Sequence, residues 1–146
     1  MSKADPAATA SPPYRLDDQV GYLLRRANQR HLAIFAREIG NLTPMQFATL
    51  VRLGEAGALS QNALGRLTAM DAATIKGVVD RLRKAGLVQT ENDRTDRRRS
   101  IVSLTPEGRA LATELIPQAR VITEATLAPL SESEQAMFLH LLRKLI

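Results

Sequence analysis

The segment from Ser60 to Leu104 constrains this chain most, because its hydrophobic period switches from helical to extended partway along. In DAATIKGVVDRLRKA, residues Asp71–Ala85, the apolar side chains Ile75, Val78, Val79 and Leu82 recur at i, i+3, i+4 and i+7 and share one helix face. The remaining positions carry Thr74, Lys76, Gly77, Asp80, Arg81, Arg83 and Lys84. Asp71 stands where a carboxylate accepts from the free amides of a first turn. Gly86 stands where a left-handed residue closes a helix. Upstream, Ser60 is placed to cap a shorter helix, QNALGRL, ending near Thr68–Met70. Two short helices with so brief a connection have the spacing of a helix-turn-helix.

Beyond Gly86 the pattern turns extended. Leu87–Thr90 and Ser100–Leu104 read as strands, the second alternating apolar and polar. Between them, four of the six residues from Arg94 to Arg99 are arginine, and Asn92, Asp93 and Asp96 can bend the chain. Such a hairpin tip must be solvated by water or by phosphate. A helix-turn-helix followed by a basic hairpin is a winged helix, so the expected fold is mainly α with a small β wing.

Charge supports that placement. The chain carries a formal +5, and Arg81–Arg99 alone hold seven basic residues against three acidic ones, a net +4. Positive charge concentrated on one element points to a polyanion more specifically than a basic whole chain does. The chain has no cysteine, which removes disulfides, thiolate metal sites and thiol redox chemistry within it. No apolar run reaches membrane-span length, and the N-terminal stretch lacks a signal-peptide core. These features lead to the expectation of a cytoplasmic protein with no membrane partner.

Around the winged helix the expected elements are helical. Residues 1–13 are rich in Ala, Ser and Pro and read as a disordered tail. A long amphipathic helix is expected from about Asp17–Asp18 to Ile39, with Val20, Leu23, Leu24, Ala27, His31, Ile34 and Phe35 in helical register. Thr43-Pro44-Met45-Gln46 offers a capping box for a helix over Leu42–Leu53, which Gly54 and Gly57 end. Thr105-Pro106-Glu107-Gly108 opens a helix to about Leu127, with a kink or break expected at Pro117. Ser131-Glu132-Ser133-Glu134 caps a last helix striped by Met137, Phe138, Leu141, Leu142 and Leu145. A winged helix needs only about 60–70 residues, so the terminal helices require another surface. A two-fold dimer supplies it and sets two recognition helices roughly 34 Å apart, matching a palindromic site.

These residues resemble the MarR family of bacterial transcription regulators. The likeness lies in Leu64–Leu67, Thr74 with Val79-Asp80-Arg81-Leu82, and Ala85-Gly86-Leu87-Val88. It is strongest in Asp93-Arg94-Thr95-Asp96-Arg97-Arg98 followed by Leu104-Thr105-Pro106-Glu107-Gly108, which is similar to the family's D-x-x-D-R-R…L-T-x-x-G signature. The resemblance implies a homodimer whose N- and C-terminal helices flank two winged-helix lobes. It also implies a repressor that releases double-stranded DNA when a small aromatic acid binds. A narrower resemblance, carried by Tyr22–His31, is to regulators of nicotinate degradation, and implies a hydroxylated pyridine carboxylate such as 6-hydroxynicotinate. The organisation implied is 14–53 for dimerisation and the effector pocket, 54–104 for DNA, and 105–146 for dimerisation.

For DNA the candidates are Gln61, Asn62, Ala72, Ala73, Thr74, Lys76, Arg81, Arg94, Arg97 and Arg98. Arginine suits a narrow minor groove, where a weakly hydrated guanidinium meets concentrated negative potential. Gly77 stands where many relatives carry a polar or basic residue, which moves base contacts toward Ala72, Ala73, Thr74 and Lys76. Plainer readings stay open: the wing as a solvated, charge-balanced hairpin, Thr74 as a first-turn residue only, and Arg97 as a structural partner of Asp93 or Asp80. For an effector the candidates are Tyr22, Arg25, Arg26, His31, Phe35, Met45, Phe47 and Met70. Arginine can hold a carboxylate through two hydrogen bonds. The plainer readings are a hydrogen-bonded interface histidine and ordinary core for Met and Phe. His140 has no assigned role.

Two distant histidines without cysteine do not make a metal site, and no cofactor is expected. No nucleophile–base pair or phosphate-cradling glycine loop suggests an enzyme. The alternative to a DNA-binding regulator is a winged-helix module for protein interaction, since fold alone does not decide function.

Overall fold

In the computed structural model, which describes residues 10–146, six helices and three short strands follow one another. Most of the expected disordered tail, 1–13, lies outside the described residues. The first helix, α1 (Val20–Glu38), begins later than expected. Asp17 and Asp18 belong instead to a 3-10 turn, Leu16–Asp18, closed by the Asp18 and Gln19 amides donating to the Arg15 and Leu16 carbonyls.

The capping box of α2 (Pro44–Ala56) is present in both halves: the Gln46 amide donates to Thr43 Oγ1, and the Thr43 amide to Gln46 Oε1. Gly54 does not end this helix. It sits inside, facing the Leu104 side chain, and the stop comes at Gly57 with φ 77°. A positive φ favours a residue without Cβ, and Gly57 provides it.

A two-residue strand not expected from the sequence, β1 (Leu59–Ser60), leads into α3 (Gln61–Leu67). Ser60 Oγ accepts from the Ala63 amide as the cap. The helix α4 (Ala72–Lys84) follows, and all four residues of its apolar stripe, Ile75, Val78, Val79 and Leu82, are buried. Gly86, with φ 75°, turns the chain into β2 (Val88–Asn92), which extends two residues past the expected end. β2 pairs antiparallel with β3 (Ser100–Leu104), and β1 adds to the other edge of β3 through Leu59 opposite Val102.

The next helix, α5 (Pro106–Leu127), is continuous, so the break expected at Pro117 does not occur. Proline removes one amide donor from the helix interior. Leu115 and Ile122, buried on either side of it, keep the segment packed alongside α1. The last helix, α6 (Glu132–Arg143), is capped by Ser131 and Glu134 in a second capping box.

Two apolar clusters divide the work. One joins Leu50 and Leu53 of α2 to Leu64, the α4 stripe, Val88, Val102, Leu104 and Ala112. The other joins Ile34, Phe35 and Ile39 to Leu115 and Ile122. Leu42 and Leu111 pack against both. The first anchors the winged-helix lobe and the second the helical base, so α2 and the start of α5 connect them. The start of α5 is tied to the lobe by Thr105, whose hydroxyl donates to the Gly86 carbonyl at 2.7 Å.

Candidate nucleic-acid interface and effector cleft

The first turn of α4 is capped by Asp71. Asp71 Oδ1 accepts from the Thr74 amide at 2.7 Å, and hydrogen bonding from the Thr74 hydroxyl and amide keeps the Asp71 carboxyl below its usual pKa. Ala72, Ala73 and Lys76 are exposed and Thr74 is half-buried. Further along the helix, Asp80 accepts from Lys76 Nζ at 2.9 Å with one oxygen and pairs with Arg83 at 3.3 Å through the other. The hydrogen bond from Lys76 is the main reason the Asp80 carboxyl is shifted down. Arg81 is exposed beside Gly77.

The wing is folded by its own aspartates. Asp93 Oδ1 accepts from both the amide and the hydroxyl of Thr95, at 3.0 and 2.9 Å. Asp96 Oδ1 accepts from the Arg98 amide at 3.0 Å. The Asp93 and Arg99 amides close the tip by donating to the Arg99 and Asp96 carbonyls. These carboxylates therefore satisfy backbone first, and their ion pairs are long: Asp96–Arg98 at 3.8 Å and Asp93–Arg99 at 3.9 Å. Neither Asp93 nor Asp80 pairs with Arg97. Among the described residues Arg94 and Arg97 have no carboxylate within ion-pair distance. At the wing base Arg98 and Arg99 share a small polar cleft of about 100 Å³ with Gln61 and Asn62 from the start of α3. The structure thus brings Gln61 and Asn62 together with Arg98, and adds Arg99, which was not among the expected residues; Arg94 and Arg97 on the wing and Ala72, Ala73, Thr74, Lys76 and Arg81 on α4 do not line this cleft.

The effector candidates separate. His31, Phe35 and Phe47 line one cleft of about 260 Å³ with Pro44, Ala119 and Ile122, where base meets lobe. Phe35 and Phe47 meet edge to face, centroids 6.0 Å apart. Tyr22 and Arg26 instead pair with each other, the guanidinium 5.9 Å from the ring centroid, well along α1 from that cleft, and Arg25 is exposed. Met45 is exposed on α2, while Met70 packs against the lobe core.

Two interactions near His31 had no signal in the sequence, because their partners are 95 and 96 residues away. Arg30 donates to the Ala125 and Thr126 carbonyls at the end of α5, at 2.7 and 2.6 Å. His31 Nδ1 lies 2.9 Å from Thr126 Oγ1. A guanidinium suits those carbonyls because helix C-termini carry unpaired acceptors and negative partial charge. Among the described residues no group of three or more potential metal ligands occurs, and no helix is long and apolar enough to cross a membrane.

A capped helix-turn-helix with an arginine-tipped, three-stranded wing defines a winged helix-turn-helix protein. Its residues 41–99 match the MarR family model. The chain belongs to the MarR family of transcription regulators. Along its whole length it is 45% identical to the HTH-type transcriptional repressor NicR of Pseudomonas putida, covering 96% of that protein. In structure it is similar to a probable transcriptional regulator from Pseudomonas aeruginosa, with TM-score 0.88 and 59% identity over 90% of this chain and all of the other. It is equally similar, at TM-score 0.88, to BpsR of Bordetella bronchiseptica, 44% identical over 92% of this chain and 97% of BpsR. The BpsR structure concerns regulation of DNA binding by 6-hydroxynicotinic acid.

Proposed function

We propose that the chain is a homodimeric, sequence-specific repressor that binds a palindromic operator and releases it when a small aromatic carboxylic acid binds. The observation that carries the DNA half is the wing: its aspartates are engaged in folding the tip, and among the described residues Arg94 and Arg97 are left exposed with no carboxylate in ion-pair reach. Unpaired guanidiniums on a narrow hairpin beside an exposed helix face fit phosphate and groove contacts. Gln61, Asn62, Arg81, Arg98 and Arg99 serve the backbone in this reading. Ala72, Ala73, Thr74 and Lys76 face the major groove.

Dimerisation is supported by apolar surface that one chain leaves uncovered. No residue of α6 is buried, and Met137, Phe138, Leu141 and Leu145 are exposed, as are Val20, Leu23 and Leu24 on α1. An apolar patch of this kind marks an interface.

The effector reading rests on the cleft at His31, Phe35 and Phe47. Phe47 belongs to α2, which packs into the lobe, whereas His31 and Phe35 belong to the base. A ring wedged there changes the lobe angle, and hence the spacing of the two recognition helices. It shifts the equilibrium only by binding the DNA-incompetent arrangement better. Similarity to NicR and BpsR favours a hydroxylated pyridine carboxylate. Tyr22, Arg25 and Arg26 do not line this cleft within one chain. Fluorescence anisotropy on duplexes from upstream of the chain's own gene tests this reading. Saturable binding that 6-hydroxynicotinate reverses is expected, and absence of any duplex binding would leave a protein-interaction module.

A further inference from the structure

The hydrogen bonds around His31 fix more than its position. Thr126 Oγ1 lies 2.7 Å from the Ile122 carbonyl, to which it donates. A carbonyl only accepts, and a hydroxyl has one proton. Toward His31 the same oxygen must therefore accept, so Nδ1 is the ring nitrogen that carries a hydrogen. In the neutral ring that leaves Nε2 as a bare acceptor. Nε2 has no partner among the described residues, and it is not sealed from solvent. His31 lines both the cleft beside Phe47 and a second one of about 330 Å³ under α6.

We infer that Thr126 is a positioning residue that locks the His31 tautomer, and that the effector must therefore present a hydrogen-bond donor, a ring hydroxyl or lactam N–H, to Nε2. The ligand class is an aromatic carboxylate bearing such a donor, rather than any aromatic acid of the right size. This inference rests on the proposed effector cleft. A site built to accept a hydrogen bond rejects an analogue lacking the donor, because the acceptor, once the ligand covers it, is cut off from water and stranded.

The test compares 6-hydroxynicotinate with 6-methoxynicotinate, in which a methyl replaces the donor proton, by calorimetry on the full-length protein. The wild type is expected to favour the hydroxy compound by about tenfold, the effect of one such hydrogen bond. Thr126→Val frees the ring to carry its proton on Nε2 and should reduce that preference to about threefold or less, whereas Thr126→Ser preserves it. The chain has only two histidines, so their ¹⁵N signals are readily distinguished. They should report Nδ1–H for His31 in the wild type and a shift toward Nε2–H in Thr126→Val. A methoxy compound that binds as tightly as the hydroxy compound, or a preference unchanged in Thr126→Val, overturns the inference. If His31→Ala abolishes hydroxynicotinate binding while the preference survives Thr126→Val, the tautomer lock fails alone. If His31→Ala leaves binding intact, or the wild type binds neither compound, the cleft reading falls with it.

Discussion

The Lys76 ammonium lies 2.9 Å from the Asp80 carboxylate, one turn along the same helix, and Asp80 also holds Arg83. Two cations on α4, the helix proposed to meet DNA, are thus partly neutralised by Asp80 within the chain. Asp80→Asn should raise affinity for random-sequence duplex by roughly threefold or more and steepen its salt dependence by about one unit, as one more cation becomes free to displace counterions. Anisotropy titrations across a potassium chloride series measure both, and an unchanged slope would show that Lys76 and Arg83 never meet phosphate.

The wing arginines behave in the opposite sense. Arg94→Ala and Arg97→Ala should each weaken duplex binding and flatten the salt slope by about 0.9 for each phosphate no longer neutralised. Thermal stability should be unaltered within about 0.5 kcal/mol, because neither side chain is buried or, among the described residues, ion-paired. Weaker binding accompanied by unfolding in melting curves would assign these residues to the fold instead.

Acid should loosen the caps and the wing together. Hydrogen bonds hold the carboxyls of Asp71, Asp93 and Glu134 below their ordinary values: Thr74 acts on Asp71, Thr95 on Asp93 and Ser131 on Glu134. A carboxyl depressed on folding stabilises above its unfolded pKa, and that contribution disappears as pH falls through the lower folded value. Melting temperature should therefore change little on account of these groups between pH 7 and about 5, then decline below about 4. In Asp93→Ala the Thr95 amide should lose its protection from hydrogen exchange at neutral pH, which NMR can follow.

Two glycines should respond in opposite directions. A Cβ on Gly108 would overlap the Leu87 backbone carbonyl where α5 docks on the lobe, so Gly108→Ala should cost about 2 kcal/mol or more. A Cβ on Gly77 meets only the Arg81 guanidinium, at 3.8 Å, and Gly77→Ala should gain about 0.5–1 kcal/mol from helix propensity. Urea titrations give both values. A weaker operator complex in the more stable Gly77→Ala protein would mean that DNA approaches the bare backbone there.

What was legible in the sequence was local. The side chains of Thr43, Ser60, Asp71 and Ser131 each cap a helix three residues ahead, and the Ile75–Leu82 stripe needs only helical geometry to be recognised. What was missed depends on distant partners. β1 exists because Leu59 and Ser60 meet Val102 and Ile101, more than forty residues on. α5 passes through Pro117 because packing outweighs one missing hydrogen bond. Of the effector candidates, the structure gathers His31, Phe35 and Phe47. It places Met70 in the lobe core, a distinction that apolar spacing does not contain. The partners that orient His31, reached across the α1–α5 packing, lie beyond any local pattern.

The most direct test of a two-lobed DNA binder is the stoichiometry of its complex. Sedimentation of the protein with a palindromic operator duplex should give two chains per duplex, and Leu141→Asp, on the exposed face of α6, should abolish the complex by separating the chains. A single chain bound per duplex, or a Leu141→Asp protein that binds as tightly as the wild type, would contradict the paired-lobe mode of binding.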